Sequence, residues 1–158
     1  MNKKNEERLK LVLDRYGDMV YRIAMSILGS PDDAEDASQN TFLRYYRKAP
    51  EFHSAEHEKA WLIRCAVNCA KSLCTSRNRH QHERLEDHRE TAAPMRTLPD
   101  LLWYLPIKDR IVLQLKYVEG YTSKEIAAMI GGTDTSVRKR IQRAKKRAEE
   151  IYKKEVLV

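Results

Sequence analysis

Apolar residues recur at gaps of three and four along almost the whole chain, and that period constrains the fold more than any other feature. It is the signature of amphipathic helices and the wrong rhythm for half-buried strands. Over residues 6–28 it runs through Leu9, Val12, Leu13, Tyr16, Val20, Ile23, Ala24 and Ile27, and Gly29 ends it. Ser30-Pro31-Asp32-Asp33 then reads as a second helix start: a hydroxyl cap, a proline whose missing N–H is harmless there, and acids in the first turn. That helix is expected to reach about Lys48, ahead of Pro50. A polar loop over residues 51–57 precedes a third helix at about 58–77, with Trp61, Leu62, Cys65, Ala66, Cys69 and Leu73 on one stripe.

The pattern then stops. Residues 78–97 hold three histidines, many charges and Pro94, with Leu85 and Met95 as the large apolar residues. Such a stretch buries little and reads as a flexible linker. Helical spacing returns at residues 99–105 and 106–118, before Glu119-Gly120. The expectation is an all-α protein of two small helical domains, residues 1–79 and 98–158, joined by a linker at 80–97. With only five glycines and five prolines in 158 residues, few breaks interrupt the helices.

The sharpest local signal lies near the C-terminal end. Thr122-Ser123-Lys124-Glu125 is a capping box, in which the threonine hydroxyl bonds the Glu125 amide and Glu125 reaches back. Ile126, Ala127 and Ile130 form the buried face of a short helix, and the small Ala127 lets another helix cross closely. Gly131-Gly132 supplies a tight turn, and Thr133 can cap the helix that follows. That helix buries Val137, Ile141, Ala144, Ala148 and Ile151. Its opposite side presents Thr135, Lys139, Gln142, Arg143 and Lys146, with Ser136 and Arg138 beside them.

This is a helix-turn-helix signature, and charge agrees with it. The chain has 30 Lys plus Arg against 23 Asp plus Glu. Arg138, Lys139, Arg140, Arg143, Lys145, Lys146 and Arg147 stand against Asp134 alone within residues 134–148. A basic stripe of this density suits a polyanion. A helix fits the major groove with its N-terminal side chains at base edges, while cations further along meet phosphates. A solvated basic helix end is the bland alternative, and the co-occurrence of capping box, turn and basic helix favours DNA.

At this point the sequence resembles the bacterial RNA polymerase sigma factors of extracytoplasmic-function type. The matching stretches are Tyr16-Gly17-Asp18-Met19-Val20-Tyr21, the run from Asp32 to Arg44, and Trp61-Leu62-Ile63-Arg64 with Asn68. Leu105-Pro106 with Arg110 and Leu113, Glu125-Ile126-Ala127, and Val137 through Arg143-Ala144 follow in the second half. Their order and spacing carry the match.

The resemblance implies roles that composition does not. The helix bearing Asp33, Asp36, Gln39 and Asn40 would dock on the clamp coiled coil of core RNA polymerase, while its acids also suit the helix dipole. Phe52, His53, Ser54 and Asn68 would meet the −10 element, where a base leaves the stack and an aromatic ring can stack on single strands. Thr135, Ser136, Arg138, Lys139, Gln142, Arg143 and Lys146 would read the −35 element of promoter DNA. Sigma factors of this type are often held by an anti-sigma factor, so that partner is implied too, although no residue here identifies one. Gln39-Asn40 replaces the family's usual Gln-Glu pair, and Ser72 and Thr75 stand where an acid and an arginine are common.

Other classes leave little trace. No run approaches the roughly 18 apolar residues of a membrane span, and the polar first ten residues are unlike a secretory signal. Three cysteines without an export signal fit reduced thiols in a cytoplasmic protein. Cys65 and Cys69 could share a metal on one helix face, but both sit on the core stripe and read as structural, as does Trp61. His53 and His57 lack a third ligand nearby in sequence. No phosphate loop, nucleophile motif or HExxH is present, so neither catalysis nor a cofactor is expected. Two alternatives are a self-sufficient helix-turn-helix regulator and a helical adaptor for acidic protein or RNA.

Overall fold

The structure, a computed structural model, describes residues 3–48, 50–80 and 102–156. Among the described residues every regular element is helical. The chain divides into two compact units, one ending at Leu73 and the other beginning at Cys74. The third helix, Ala55–His80, runs across that division. Of the expected linker, His80 ends a helix, and residues 81–97 lie outside the described residues, as do residues 98–101.

In the first unit, α1 spans Lys3–Leu28, α2 spans Pro31–Lys48 and α3 spans Ala55–His80. The α1 stripe buries Val12, Tyr16, Met19, Val20, Ile23, Ala24 and Ile27. Leu13, expected on that stripe, sits at its edge and is exposed. Ser30 begins α2 as expected: its hydroxyl lies 3.5 Å from the Asp33 amide and its carbonyl accepts from Ala34. Small residues Ala34 and Ala37 let α2 pack closely, beside Phe42 and Tyr45. Thr41 is fully buried, and its hydroxyl donates to the Ala37 carbonyl at 2.8 Å, which satisfies that hydroxyl inside the core.

Helix α3 starts three residues before the expected position because Ser54 caps it. The Ser54 hydroxyl accepts from the His57 amide at 3.1 Å, and its carbonyl accepts from Glu58. Leu62, Ile63, Cys65, Ala66, Val67, Cys69 and Ala70 are buried, a wider arc than the expected stripe. Cys65 and Cys69 are free thiols inside this core. Their mutual hydrogen bond lowers Cys69 and raises Cys65; Thr41 and Arg44 lower Cys69 further, while burial opposes them.

The second unit holds α4, Ile107–Leu113; a single π-helical turn, Gln114–Val118; α5, Ser123–Ile130; and α6, Asp134–Val156. The helix expected at 99–105 is represented by Leu102, followed by a turn in which the Leu105 amide bonds the Leu102 carbonyl. Leu102, Leu105, Ile111, Val112, Leu113 and Leu115 form the core with α5 and α6. The widened π turn was expected as plain helix. It buries Gln114, whose amide donates to Glu119 at 3.2 Å, and leaves Tyr117 and Val118 exposed.

Candidate nucleic-acid interface

The turn between α5 and α6 is built by local chemistry. Thr122 and Glu125 form the expected reciprocal cap: the Glu125 amide donates to the Thr122 hydroxyl at 3.2 Å, and the Thr122 amide to the Glu125 carboxylate at 3.1 Å. The hydrogen bonds from Thr122, backbone first, hold that carboxyl below its ordinary range. Ile126, Ala127 and Met129 are buried, so Met129 takes the place expected for Ile130, which is half-buried. Gly131 and Gly132 have φ of 98° and 95°, a left-handed pair that side chains resist. A Cβ on Gly132 would also meet the Ser136 hydroxyl at 3.0 Å.

A second reciprocal cap starts α6. The Ser136 amide donates to the Thr133 hydroxyl at 3.0 Å, and the Thr133 amide donates to the Ser136 hydroxyl at 2.9 Å. That hydroxyl in turn donates to the Thr133 carbonyl. Ser136 therefore holds the helix start with the same hydroxyl expected at DNA. Thr133→Ala should lower stability by about 0.5–2 kcal/mol, the usual cost of a lost cap. The check is a lower urea midpoint at unchanged m value; an unmoved midpoint would remove the cap from the account.

Docking of α6 against its neighbours sorts its cations. Val137, Ile141, Ala144 and Ala148 are buried on the inner side. Ser123 on α5 donates to Asp134 at 2.5 Å, and Asp134 also pairs with Arg138 at 2.8 Å. Arg140 and Arg147 both turn to α4, where they meet the two oxygens of Asp109 at 3.5 and 3.0 Å. The Asp109 side chain is only 4% exposed. Lys145 lies 5.9 Å from the Tyr117 ring. Thr135, Lys139, Gln142, Arg143 and Lys146 remain as one exposed stripe opposite the core, in helical register. Of the seven residues expected at the −35 element, these five share the open side; Arg138 and Ser136 flank it with their polar groups engaged.

The first unit sorts its candidates too. On α2, Asp32, Asp36 and Gln39 form an exposed stripe that continues to Leu43, 46% exposed and not singled out from the sequence. Asn40 is exposed beside it. Asp33 is not part of this face: it is 8% exposed and lies against the core side of α2.

The segment before α3 is fastened by rings. Phe52 is half-buried, parallel to Tyr45 at 6.2 Å and edge-on to Trp61 at 6.0 Å. Arg8 lies over Tyr45 at 4.9 Å and donates to the Pro50 carbonyl. Tyr45 donates to Glu58 at 2.8 Å; burial first, then that bond, push its hydroxyl up to about 12, so it stays a neutral donor. The His53 and His57 rings stack at 5.5 Å, and the His53 amide donates to Nδ1 of His57 at 3.3 Å. Asn68 is exposed on the same side of α3 as His57 and Trp61. Thus His53 and Asn68 are open to a ligand, Phe52 is partly committed to packing, and Ser54 serves as a cap.

Comparison with known proteins bears on what these surfaces belong to. Residues 12–80 match Sigma-70 region 2, and residues 95–147 match Sigma-70, region 4. The ECF RNA polymerase sigma factor SigE of Mycolicibacterium smegmatis is 27% identical over 154 residues, covering 89% of this chain and 60% of that protein. The probable RNA polymerase sigma factor RfaY of Xanthomonas campestris is 28% identical over 145 residues, covering 80% of this chain and 36% of its own. The chain therefore spans less than two thirds of each of these two relatives. The sigma factor RpoE of Bartonella quintana, solved with the anti-sigma factor NepR, shares the fold at a TM-score of 0.73 and 24% identity, over 96% of this chain and 98% of that one. With a region 2 match on the three-helix unit and a region 4 match on the helix-turn-helix, the chain belongs to the sigma-70 factors of extracytoplasmic-function type.

Proposed function

We propose that this chain binds core RNA polymerase and directs promoter-specific transcription initiation, with residues 1–79 serving core and the −10 element and residues 98–158 serving the −35 element. The observation that carries the reading is the division of α6 into a packed face and one open stripe of Thr135, Lys139, Gln142, Arg143 and Lys146. A stripe with hydroxyl, amide, guanidinium and ammonium groups can donate to base edges and to phosphates. Cap, turn and Asp109 hold that helix before any DNA arrives, so little ordering is left to binding.

On the first unit, the acids and amide of α2 face outward as a polar surface that basic side chains of core polymerase can meet. His53 and Asn68 flank the aromatic cluster where a −10 base would be received. The role is binding, not catalysis, and its place is with core polymerase in the cytoplasm. Among the described residues no helix is long and apolar enough to cross a membrane. The RpoE–NepR complex supports counting an anti-sigma factor among the partners.

The docking face is tested with Asp36→Ala combined with Gln39→Ala, leaving the buried Asp33 intact. Core polymerase retention in a pull-down should fall about tenfold or more, equivalent to about 1.4 kcal/mol. Unchanged retention by a variant with native circular dichroism would exclude this face.

A further inference from the structure

We propose that Asp109 is a positioning residue for DNA specificity: it holds Arg140 and Arg147 away from the phosphate backbone, leaving contact to the open stripe of α6. The role rests on the −35 reading of that helix.

Arg140 and Arg147 are seven residues apart, so they lie one above the other on a single flank of α6. Both reach the same carboxylate, Arg140 at Oδ1 and Arg147 at Oδ2. Asp109 sits in the first turn of α4 with its side chain 4% exposed, while Arg140 and Arg147 are 44% and 57% exposed. The arrangement is asymmetric. The arginines could be solvated if released, but the acid could not, because release would strand a charge away from water. The buried acid therefore retains them whether or not DNA is present. Among the described residues no ion pair engages Lys139, Arg143 or Lys146, so these cations stay available.

The consequence concerns discrimination. A phosphate contact strengthens every sequence alike, whereas a base contact strengthens one. Without Asp109, two more arginines would add to the first kind and dilute the second. Asp109 thus sets how much of the binding reads sequence.

The test is holoenzyme binding to a matched promoter and a −35-substituted one over a salt series. Lys146→Ala should reduce the slope of log K against log salt by about 0.9, the value of one phosphate contact. Arg147→Gln should leave the slope unchanged. Asp109→Asn should steepen it by up to about two such contacts and lower the matched-to-substituted ratio several-fold. If Arg147→Gln flattens the slope as much as Lys146→Ala does, Arg147 already rests on phosphate and the proposal is overturned. An Asp109→Asn protein with native circular dichroism but wild-type slope and ratio overturns it equally. Should Asp109→Asn not fold, the comparison of Arg147→Gln with Lys146→Ala decides alone. A Lys146→Ala slope equal to wild type would remove the −35 reading, and this role with it.

Discussion

Replacing Arg140 and Arg147 together with glutamine should destabilise the second unit by about 3 kcal/mol, the low end of the cost of breaking a buried charge pair. The low end applies because both guanidinium groups are about half-exposed and water already screens them. The loss comes from Asp109, left buried and charged without a partner. Adding Asp109→Leu to the double variant should therefore recover most of the stability, since an apolar side chain needs no counter-charge there. Urea denaturation of the three proteins measures this. A double variant within about 1 kcal/mol of the parent, or a triple variant no better than the double, would mean that the ion pairs do not hold α6 to α4.

The other large effect separates reading from holding on α6. Arg143, in the third turn of α6, is exposed on the side away from Ile141 and Ala144, where a major groove would lie. If its guanidinium bonds a guanine in two places, Arg143→Ala should reduce discrimination at the −35 element by about 1–3 kcal/mol. Lys146, one turn further, should act on backbone, so Lys146→Ala should weaken matched and substituted promoters by the same factor. The measurement is holoenzyme affinity for both duplexes at one fixed salt concentration, because affinities across salts are not comparable. Equal weakening of both duplexes by Arg143→Ala would make it a backbone contact and leave base reading to Gln142 and Lys139.

What could be read from residues alone was what is encoded locally. The three-and-four spacing of Val12, Tyr16, Val20 and Ile23 shows in α1 because burial follows the helical period. The cap at Thr122 and Glu125 is legible because both partners lie in four consecutive residues. Ser54 carried no such mark: Ala55, Glu56 and His57 after it are polar or small, and no apolar stripe announces a helix. Ser136 looked like a DNA ligand because serine at the third position completes a cap only through geometry. Asp33 looked like its exposed acidic neighbours, and only the packing of α2 turns it inward. The Asp109 pairs join residues 31 and 38 positions apart, and no spacing rule reaches that far. The outward stripe of α6 was legible for the same reason as its core: both are set by one helical period.

If the chain acts through core polymerase, run-off transcription with purified core enzyme on genomic DNA will depend on it. Transcripts should require the chain, start at discrete sites, and fall with Asp36→Ala plus Gln39→Ala or with Arg143→Ala. Tight promoter binding by the chain alone, with no chain-dependent transcript from core enzyme, would contradict it and identify a self-sufficient DNA-binding regulator.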